Sequence, residues 1–349
     1  MELKKFYQGK KVFLTGHTGF KGAWLTLILK EMGAEVFGYS LSVPSTPSFY
    51  ELSHLNISEK RADIDDYKML HQALYEFRPD IVIHMAAQSL VLESYKDPLF
   101  TFRTNIMGTA NLFEICRNLD EVKVILNVTS DKCYHNTGHL QAYTELDALG
   151  GSDPYSASKA CAELVNTAMY KSFFQHKDDI AVVSARAGNV VGGGDWSENR
   201  LVPDCIRSLK TNSPLKLRNP ESVRPWQHVL DALNGYLKLV QASWFNKKEM
   251  SGAWNFGPES LRPFKVIDVI NSLSLNLNKD IPHVFESSDV FEQPVLMIDS
   301  TKSAQKLNWT TQLSAEQTFE WTAKWYATYL NNQDTLEISK QQVRDFFKI

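Results

Sequence analysis

Tyr155 and Lys159 stand four positions apart where a helical pattern opens and runs on through Cys161, Leu164 and Val165. On a helix that spacing stacks two side chains on one face, one turn apart. A phenol ordinarily titrates near about 10, too high for proton transfer at neutrality, and a neighbouring ammonium lowers that value. Such a pair can take the proton of an alcohol while hydride leaves the same carbon. The alternative is an ordinary surface pair, so position decides. The pair follows an apolar strand, Val122 to Val128, that ends in Thr129-Ser130-Asp131-Lys132-Cys133-Tyr134. This ending sets a hydroxyl, a carboxylate and an amine at the carboxyl end of a strand, where open parallel sheets form their ligand crevice.

A hydride acceptor needs a cradle. Thr15-Gly16-His17-Thr18-Gly19-Phe20-Lys21-Gly22 follows the apolar run Val12-Phe13-Leu14 and leads into a helix with Trp24, Leu25, Ile28 and Met32 on one face. Strand, glycine loop and helix are the setting of a dinucleotide site. Gly16 is expected to take the positive φ of a tight turn, Gly19 to let a pyrophosphate approach, and Gly22 to let helix pack on strand. His17 and Lys21 offer a donor and a cation, and the helix N-terminus offers a positive dipole end. About 20 residues on, where an acid often grips the ribose, the chain has Ser40. From the residues, the choice between NAD and NADP stays open, and a missing charge-assisted ribose bond predicts weak cofactor retention. Asp63 is either a contact for the adenine edge or an N-terminal acid for the helix Tyr67–Phe77. Ile81-Val82-Ile83 reads as a buried parallel strand, ending in His84-Met85-Ala86-Ala87-Gln88, where a cofactor can pass close to backbone.

These elements imply an α/β fold, a Rossmann-like doubly wound parallel sheet with a smaller α/β substrate-binding lobe. Strand and helix alternate from residue 11 to about 186, with a long helix from Pro98 to Leu119 and Ile180–Val183 closing the series. The expected division is 1–188 for the NAD-binding domain with Tyr155 and Lys159, 189–333 for the substrate lobe and 334–349 for a tail helix. The chain has 349 residues, 43% hydrophobic and 22% charged, with a net charge of −3. That balance gives no argument for nucleic acid or membrane partners. No signal peptide and no membrane-length apolar run is read, and Cys116, Cys133, Cys161 and Cys205 lack metal-ligand spacing. A cytoplasmic protein with reduced thiols and no metal is expected.

The chain resembles the extended short-chain dehydrogenase/reductases over nearly its whole length, and within them the nucleotide-sugar 4,6-dehydratases, most closely the CDP-glucose 4,6-dehydratases. The resemblance rests on Gly-His-Thr-Gly-Phe-Lys-Gly at 16–22, Thr-Ser-Asp-Lys-Cys-Tyr at 129–134 and Tyr-Ser-Ala-Ser-Lys at 155–159. It rests also on Arg186-Ala-Gly-Asn-Val-Val-Gly-Gly-Gly-Asp-Trp196 and Arg224-Pro-Trp-Gln-His-Val229. It implies a triad of Ser130, Tyr155 and Lys159, joined by Asp131 and Lys132. It implies NAD held by Gly16, His17, Gly19, Phe20, Lys21, Gly22, Ser40, Asp63, Ile64, Ala86, Ala87, Gln88 and Asn105, besides Tyr155 and Lys159. A nucleotide sugar, CDP-glucose, would meet Ser89, Asn189, Arg200, Leu201, Arg218, Arg224 and Asn255. Guanidinium groups suit a diphosphate.

The implied reaction takes hydride from C4, loses the C5 proton and the C6 hydroxyl, and returns the hydride to C6. Asp131 is the natural acid for that hydroxyl. Lys132 stands where the related dTDP-glucose enzymes have a glutamate as the C5 base. An ordinary lysine is protonated at neutrality, so the role requires a desolvated neutral amine beside an Asp131 that holds the proton. Rival readings are a nucleotide-sugar 4-epimerase, which needs no Asp131–Lys132 pair, and a non-catalytic NAD-binding protein, which needs neither Tyr155 nor Lys159. The helical faces of 98–119 and 156–174, rich in Phe, Met and Tyr, suit a homodimer or higher homo-oligomer.

Overall fold

The computed structural model describes residues 2–138, 141–217, 219–258, 264–286 and 296–349. A seven-stranded parallel sheet forms its centre. In chain order the strands are β1 Lys11–Thr15, β2 Glu35–Ser40, β3 Ser58–Arg61, β4 Ile81–His84, β5 Val124–Val128, β6 Ala181–Arg186 and β7 Gly252–Asn255. Their spatial order is β7-β6-β5-β4-β1-β2-β3, so the winding direction reverses between β1 and β4. A reversal of this kind opens a crevice at the strands' carboxyl ends.

The central strands are buried on both faces, which is why they read as unbroken apolar runs. Val12, Leu14, Ile81, Ile83, Val124 and Leu126 enter one core, while Phe13, Val82 and Ile125 enter the other. This is the two-residue alternation of a strand with helices on either side. Edge strand β3, Ser-Glu-Lys-Arg, is exposed throughout, a polar edge that resists further pairing.

The helices that matter for the site are α1 Phe20–Glu31, α2 Tyr67–Phe77, α3 Gly108–Cys116, α4 Pro154–Met169, α5 Leu201–Thr211 and α6 Val229–Phe245. The predicted helix 98–119 is one helical course with a π-helical turn, Arg103–Met107, ahead of α3. Asp153 caps α4, accepting from the Ser156 amide at 2.9 Å, with Pro154 in the first turn.

Two sequence expectations change. The sheet does not close at residue 186: Gly252–Asn255 adds β7 beside β6, and α6 packs on β5, β6 and α1. Residues 229–255 therefore belong to the sheet's own layers and not to the lobe expected to take up most of 189–333. The tail forms α7, Thr335–Phe347, whose Val343 and Phe346 enter the large core beside α1. Outside the main sheet, short strands pair as Val190–Val191 with Gln227–His228 and Val223–Arg224 with Phe264–Lys265.

Candidate active site

The three loop glycines have three different reasons to be glycine. Gly16 has φ +74°, and a Cβ there would sit 2.7 Å from the Ala86 nitrogen. A Cβ on Gly22 would sit 2.1 Å from the Gly16 carbonyl oxygen. Gly19 is different, since its nearest neighbour would be 3.4 Å away, an ordinary contact. The protein's own packing therefore requires two of them, and the third opens a face onto which other atoms can come. No side chain caps the first turn of α1. Lys21 is pulled down to about 7, by burial first and then by the Arg200 and Lys159 charges, with Asp131 and Asp195 opposing. Three cations crowded at the mouth of an uncapped helix fit a dinucleotide's diphosphate.

The end of β4 is held by a buried chain. Thr15 Oγ1 accepts from the Met85 and Ala86 amides, both at 3.0 Å, so its own proton goes to His84 Nδ1 at 2.8 Å. His84 Nε2 then donates to Thr109 at 3.1 Å, and Thr109 donates to the Asn105 carbonyl at 2.7 Å. Burial holds His84 neutral at about 3. The Ala86–Ala87 backbone is thereby presented beside Gly16.

Several cofactor expectations need correcting. His17 does not face the loop's open side: its ring lies against Gly38 of β2 and pairs with Glu59 at 2.7 Å. Asn105 is fully engaged, donating to the Gln88 carbonyl and Ser158 Oγ and accepting from the Gln88 amide. Gln88 spends its side chain on Leu90 and Thr101. Both shape the loop after β4 instead of reaching a ligand by side chain. Ser40 Oγ bonds Thr18 Oγ1 at 2.8 Å. Asp66, not Asp63, caps α2, which removes the alternative reading of Asp63; that half-buried carboxylate accepts from the Asp65 amide. Ile64 is buried against Gly108, and the Phe20 ring reaches Gly192.

The structure brings Ser130, Asp131 and Tyr155, expected as reacting side chains, together, with a different electrostatic balance. Ser130 hydrogen-bonds Tyr155 and donates to Asp131 Oδ1 at 2.9 Å. A Cβ on Gly188 would fall 1.7 Å from Asp131 Oδ2, so that glycine makes the seat for the buried carboxylate. Burial raises Tyr155 to about 12, with Ser130 and Arg200 pulling the other way. The expected lowering by Lys159 is not what governs Tyr155: the Lys159 amine donates to the Val128 carbonyl at 3.3 Å, and burial brings it to about 8. Lys132 lies on the exposed side of the turn, so the chain alone does not supply the desolvation that its proposed base role requires.

On the substrate side, Arg200 Nη1 pairs with buried Asp195 at 3.0 Å and Nη2 reaches Ser89 Oγ at 3.4 Å, spanning the mouth. Leu201 follows it as the first residue of α5. Arg224 is half-buried and donates to the Val223 carbonyl, while Asn189 has φ +47° in the turn after β6. Asn255 is corrected: it is wholly buried, its amide donates to the Tyr143 and Asp299 carbonyls, and its oxygen accepts from Tyr134. It has no donor left for a diphosphate. Arg218 lies outside the described residues.

Sequence reasoning missed Tyr236 and Glu163, and gave no role to Arg186 and Asp195 within the motif that contains them. Tyr236, from α6, is buried with its hydroxyl 3.5 Å from Lys21 Nζ and feels the charges of Asp131 and Tyr155. No local pattern marks it, because it arrives from a distant helix. Glu163 carried a signal, a charged residue at the same four-residue spacing below Tyr155 and Lys159. All four cysteines are free, and no group of metal-ligating side chains occurs among the described residues.

The family model described as GDP-mannose 4,6 dehydratase matches residues 13–322. A CDP-glucose 4,6-dehydratase of Salmonella typhimurium is 41% identical, covering 98% of this chain and 98% of that protein. A probable dTDP-glucose 4,6-dehydratase of Sinorhizobium fredii is 27% identical over 90% of this chain and 92% of its own length. Among solved structures, the dTDP-glucose 4,6-dehydratase of Streptomyces venezuelae, with NAD bound, superposes with a TM-score of 0.80 at 20% identity. It covers 93% of this chain and 99% of that one, a likeness of fold. Matched across most of its length by the family model and across nearly all of it by a curated relative, this chain belongs to the GDP-mannose 4,6 dehydratase family.

Proposed function

We propose that this chain is an NAD-dependent CDP-glucose 4,6-dehydratase, a hydro-lyase converting CDP-D-glucose to CDP-4-dehydro-6-deoxy-D-glucose and water. The observation that carries the reading is the buried Asp131 carboxylate seated over Gly188 and hydrogen-bonded to Ser130, which itself bonds Tyr155. Oxidation at C4 alone needs Tyr155; expelling the C6 hydroxyl needs a second acid beside it, and Asp131 supplies that group. Cytosine as the base rests on likeness to the Salmonella relative.

Bound NAD supplies the hydride chemistry, accepting from C4 and donating to C6; Gly16, Gly19, Gly22, Lys21, Asp63 and the Ala86–Ala87 backbone would hold it. Tyr155 takes the C4 hydroxyl proton, with the Arg200 charge working against the burial that otherwise keeps the phenol protonated. The resulting 4-ketone acidifies C5. Lys132 takes that proton, once substrate covers the turn and desolvates the amine. Asp131, in its protonated form, gives its proton to the departing hydroxyl, which leaves as water, and Lys132 returns a proton to C5 as hydride reaches C6. Arg200 meets the diphosphate by exchanging Asp195 for phosphate oxygens, with Arg224 and Asn189 as further contacts.

The proposal includes a homodimer in the cytoplasm. Leu99, Met107, Leu164 and Phe173 are exposed apolar residues of the two helical segments 98–116 and 154–174. A helix pairing between two copies would cover them. No described helix is long and apolar enough to cross a membrane.

Incubation with CDP-, dTDP-, UDP- and GDP-glucose, with and without added NAD, tests the reading. Loss of one water and a base-induced chromophore are expected with CDP-glucose. A change of C4 configuration without loss of mass would assign the chain to the 4-epimerases instead.

A further inference from the structure

The catalytic helix carries a third buried polar residue whose task the reaction outlined above does not name. Glu163 follows Tyr155 and Lys159 at the same spacing, so the three form one stripe along α4. Its side chain is 2% exposed. One carboxylate oxygen accepts from the Thr129 hydroxyl; the other accepts from Ser184 Oγ at 2.7 Å and Arg186 Nη2 at 2.8 Å. Arg186 is fixed in turn by donating to the Tyr134 hydroxyl at 2.9 Å, and that hydroxyl donates to Asn255 at 2.7 Å. Every partner comes from β5, β6, β7 or the turn that bears Ser130 and Asp131. Sealing this space with apolar side chains would stabilise the fold as well or better, since a buried ion pair repays its desolvation poorly. An ionised carboxylate kept there at that cost needs another reason, and the amine one turn above it supplies one.

Lys159 is buried, its amine donating to the Val128 carbonyl at 3.3 Å. Glu163 and Cys133 act on its charge, His84 and Lys21 feel it, and Tyr155 stands one turn away on α4. The Cys133 thiol is buried and uncharged, and His84 is neutral, so Glu163 is the anion among them. We propose that Glu163, clamped by Arg186, is the counter-charge that keeps Lys159 an ammonium inside the closed crevice, which makes Glu163 a positioning residue of the reaction.

The direction of the effect follows. Burial pulls Lys159 down, Glu163 is the largest influence opposing it, and the balance stands at about 8. Without the anion, Lys159 loses its proton at lower pH, and Tyr155 loses a cationic neighbour at neutrality. The inference rests on Tyr155 and Lys159 being the reacting pair, yet its test needs no turnover.

In full-length Glu163→Gln, trace acetylation across a pH series, read by mass spectrometry, reports the titration of each lysine. Lys159 is expected to become about fivefold more reactive at neutrality and about tenfold more reactive one pH unit below it, a downward shift of about one unit. Lys21, repelled by the Lys159 charge, should shift upward. General loosening of the site would instead move both lysines up, toward their values in water. Because the Gln variant leaves Arg186 buried without its anion, Glu163→Gln/Arg186→Gln is measured beside it with the same expectation. Glu163→Asp should restore the wild-type order. Turnover, where measured, should lose its alkaline limb at lower pH in the Gln variants. A Lys159 titration that is unmoved or raised in both Gln variants would overturn the proposal. A shifted Lys159 with no dehydration of any nucleotide-glucose would leave it standing and fail only the assigned activity.

Discussion

The two walls of the crevice are built on different terms. On the cofactor wall, one short segment does most of the work: Gly16 to Gly22 turns, approaches Ala86 and starts α1 within seven residues. Its shape is imposed by the chain on itself. On the proposed substrate wall, Arg200, Arg224 and Asn189 come from separate segments, and Arg200 is held by Asp195 and Ser89, groups it would exchange on binding. The first wall is preorganised by backbone; the second is preorganised by charge and left adjustable. A residue's type therefore says more about function where the fold does not already need it, as at Gly19, than where it does, as at Gly22.

Removing the reacting oxygen should produce the largest effect and cut across both walls. Tyr155→Phe is expected to leave folding and nucleotide-sugar binding intact while turnover falls by roughly 10²–10⁴-fold, the usual worth of a general base. Retention of more than a few per cent of the wild-type rate would remove Tyr155 from the C4 step.

The glycines test the cofactor wall from within. Gly22→Ala forces a Cβ to 2.1 Å from the Gly16 carbonyl and should lower stability by about 1–3 kcal/mol in thermal or urea unfolding. Gly19→Ala meets nothing closer than 3.4 Å, so its unfolding should match wild type while NAD binding weakens. Equal stability losses in the two variants would erase the distinction.

Much of this contrast was legible in the sequence, unevenly. Apolar runs such as Ile81–Ile83 and Val124–Val128 declare buried parallel strands because both faces are covered. The fourfold spacing of Tyr155 and Lys159 declares a shared helix face. What stayed hidden depends on distant packing. β7 is only four residues long and arrives after a helix, so nothing local marks it as part of the main sheet. Asn255 was a ligand contact by family resemblance alone, and it sits at the end of that strand with both amide protons already taken. His17 sits in the glycine loop by sequence, but Gly38 leaves a hollow on the far side that its ring fills.

Arg200 and Asn255 separate the substrate wall's adjustable part from its frame. Arg200→Ala should raise KM for the nucleotide sugar about 10- to 100-fold, the loss of a charge-assisted contact worth roughly 1.5–3 kcal/mol. Asn255→Ala should leave KM near wild type and lower stability by about 1–3 kcal/mol, since it orphans buried carbonyls and the Tyr134 hydroxyl. The opposite pattern would restore Asn255 as a ligand contact.

The smallest expected effect is on pH dependence. Lys159 is an ammonium below about 8 and a neutral amine above it. Activity that depends on its charge should fall as pH rises through that value. A kcat profile that keeps rising through pH 10 would show that the Lys159 charge is not needed.

CDP-glucose carrying deuterium at C4 tests the central claim most directly. If the chain is a 4,6-dehydratase, the product is lighter by one water and holds the label in its C6 methyl group, with solvent hydrogen at C5. Label retained at C4, or at a C4 of inverted configuration with no water lost, would contradict the account.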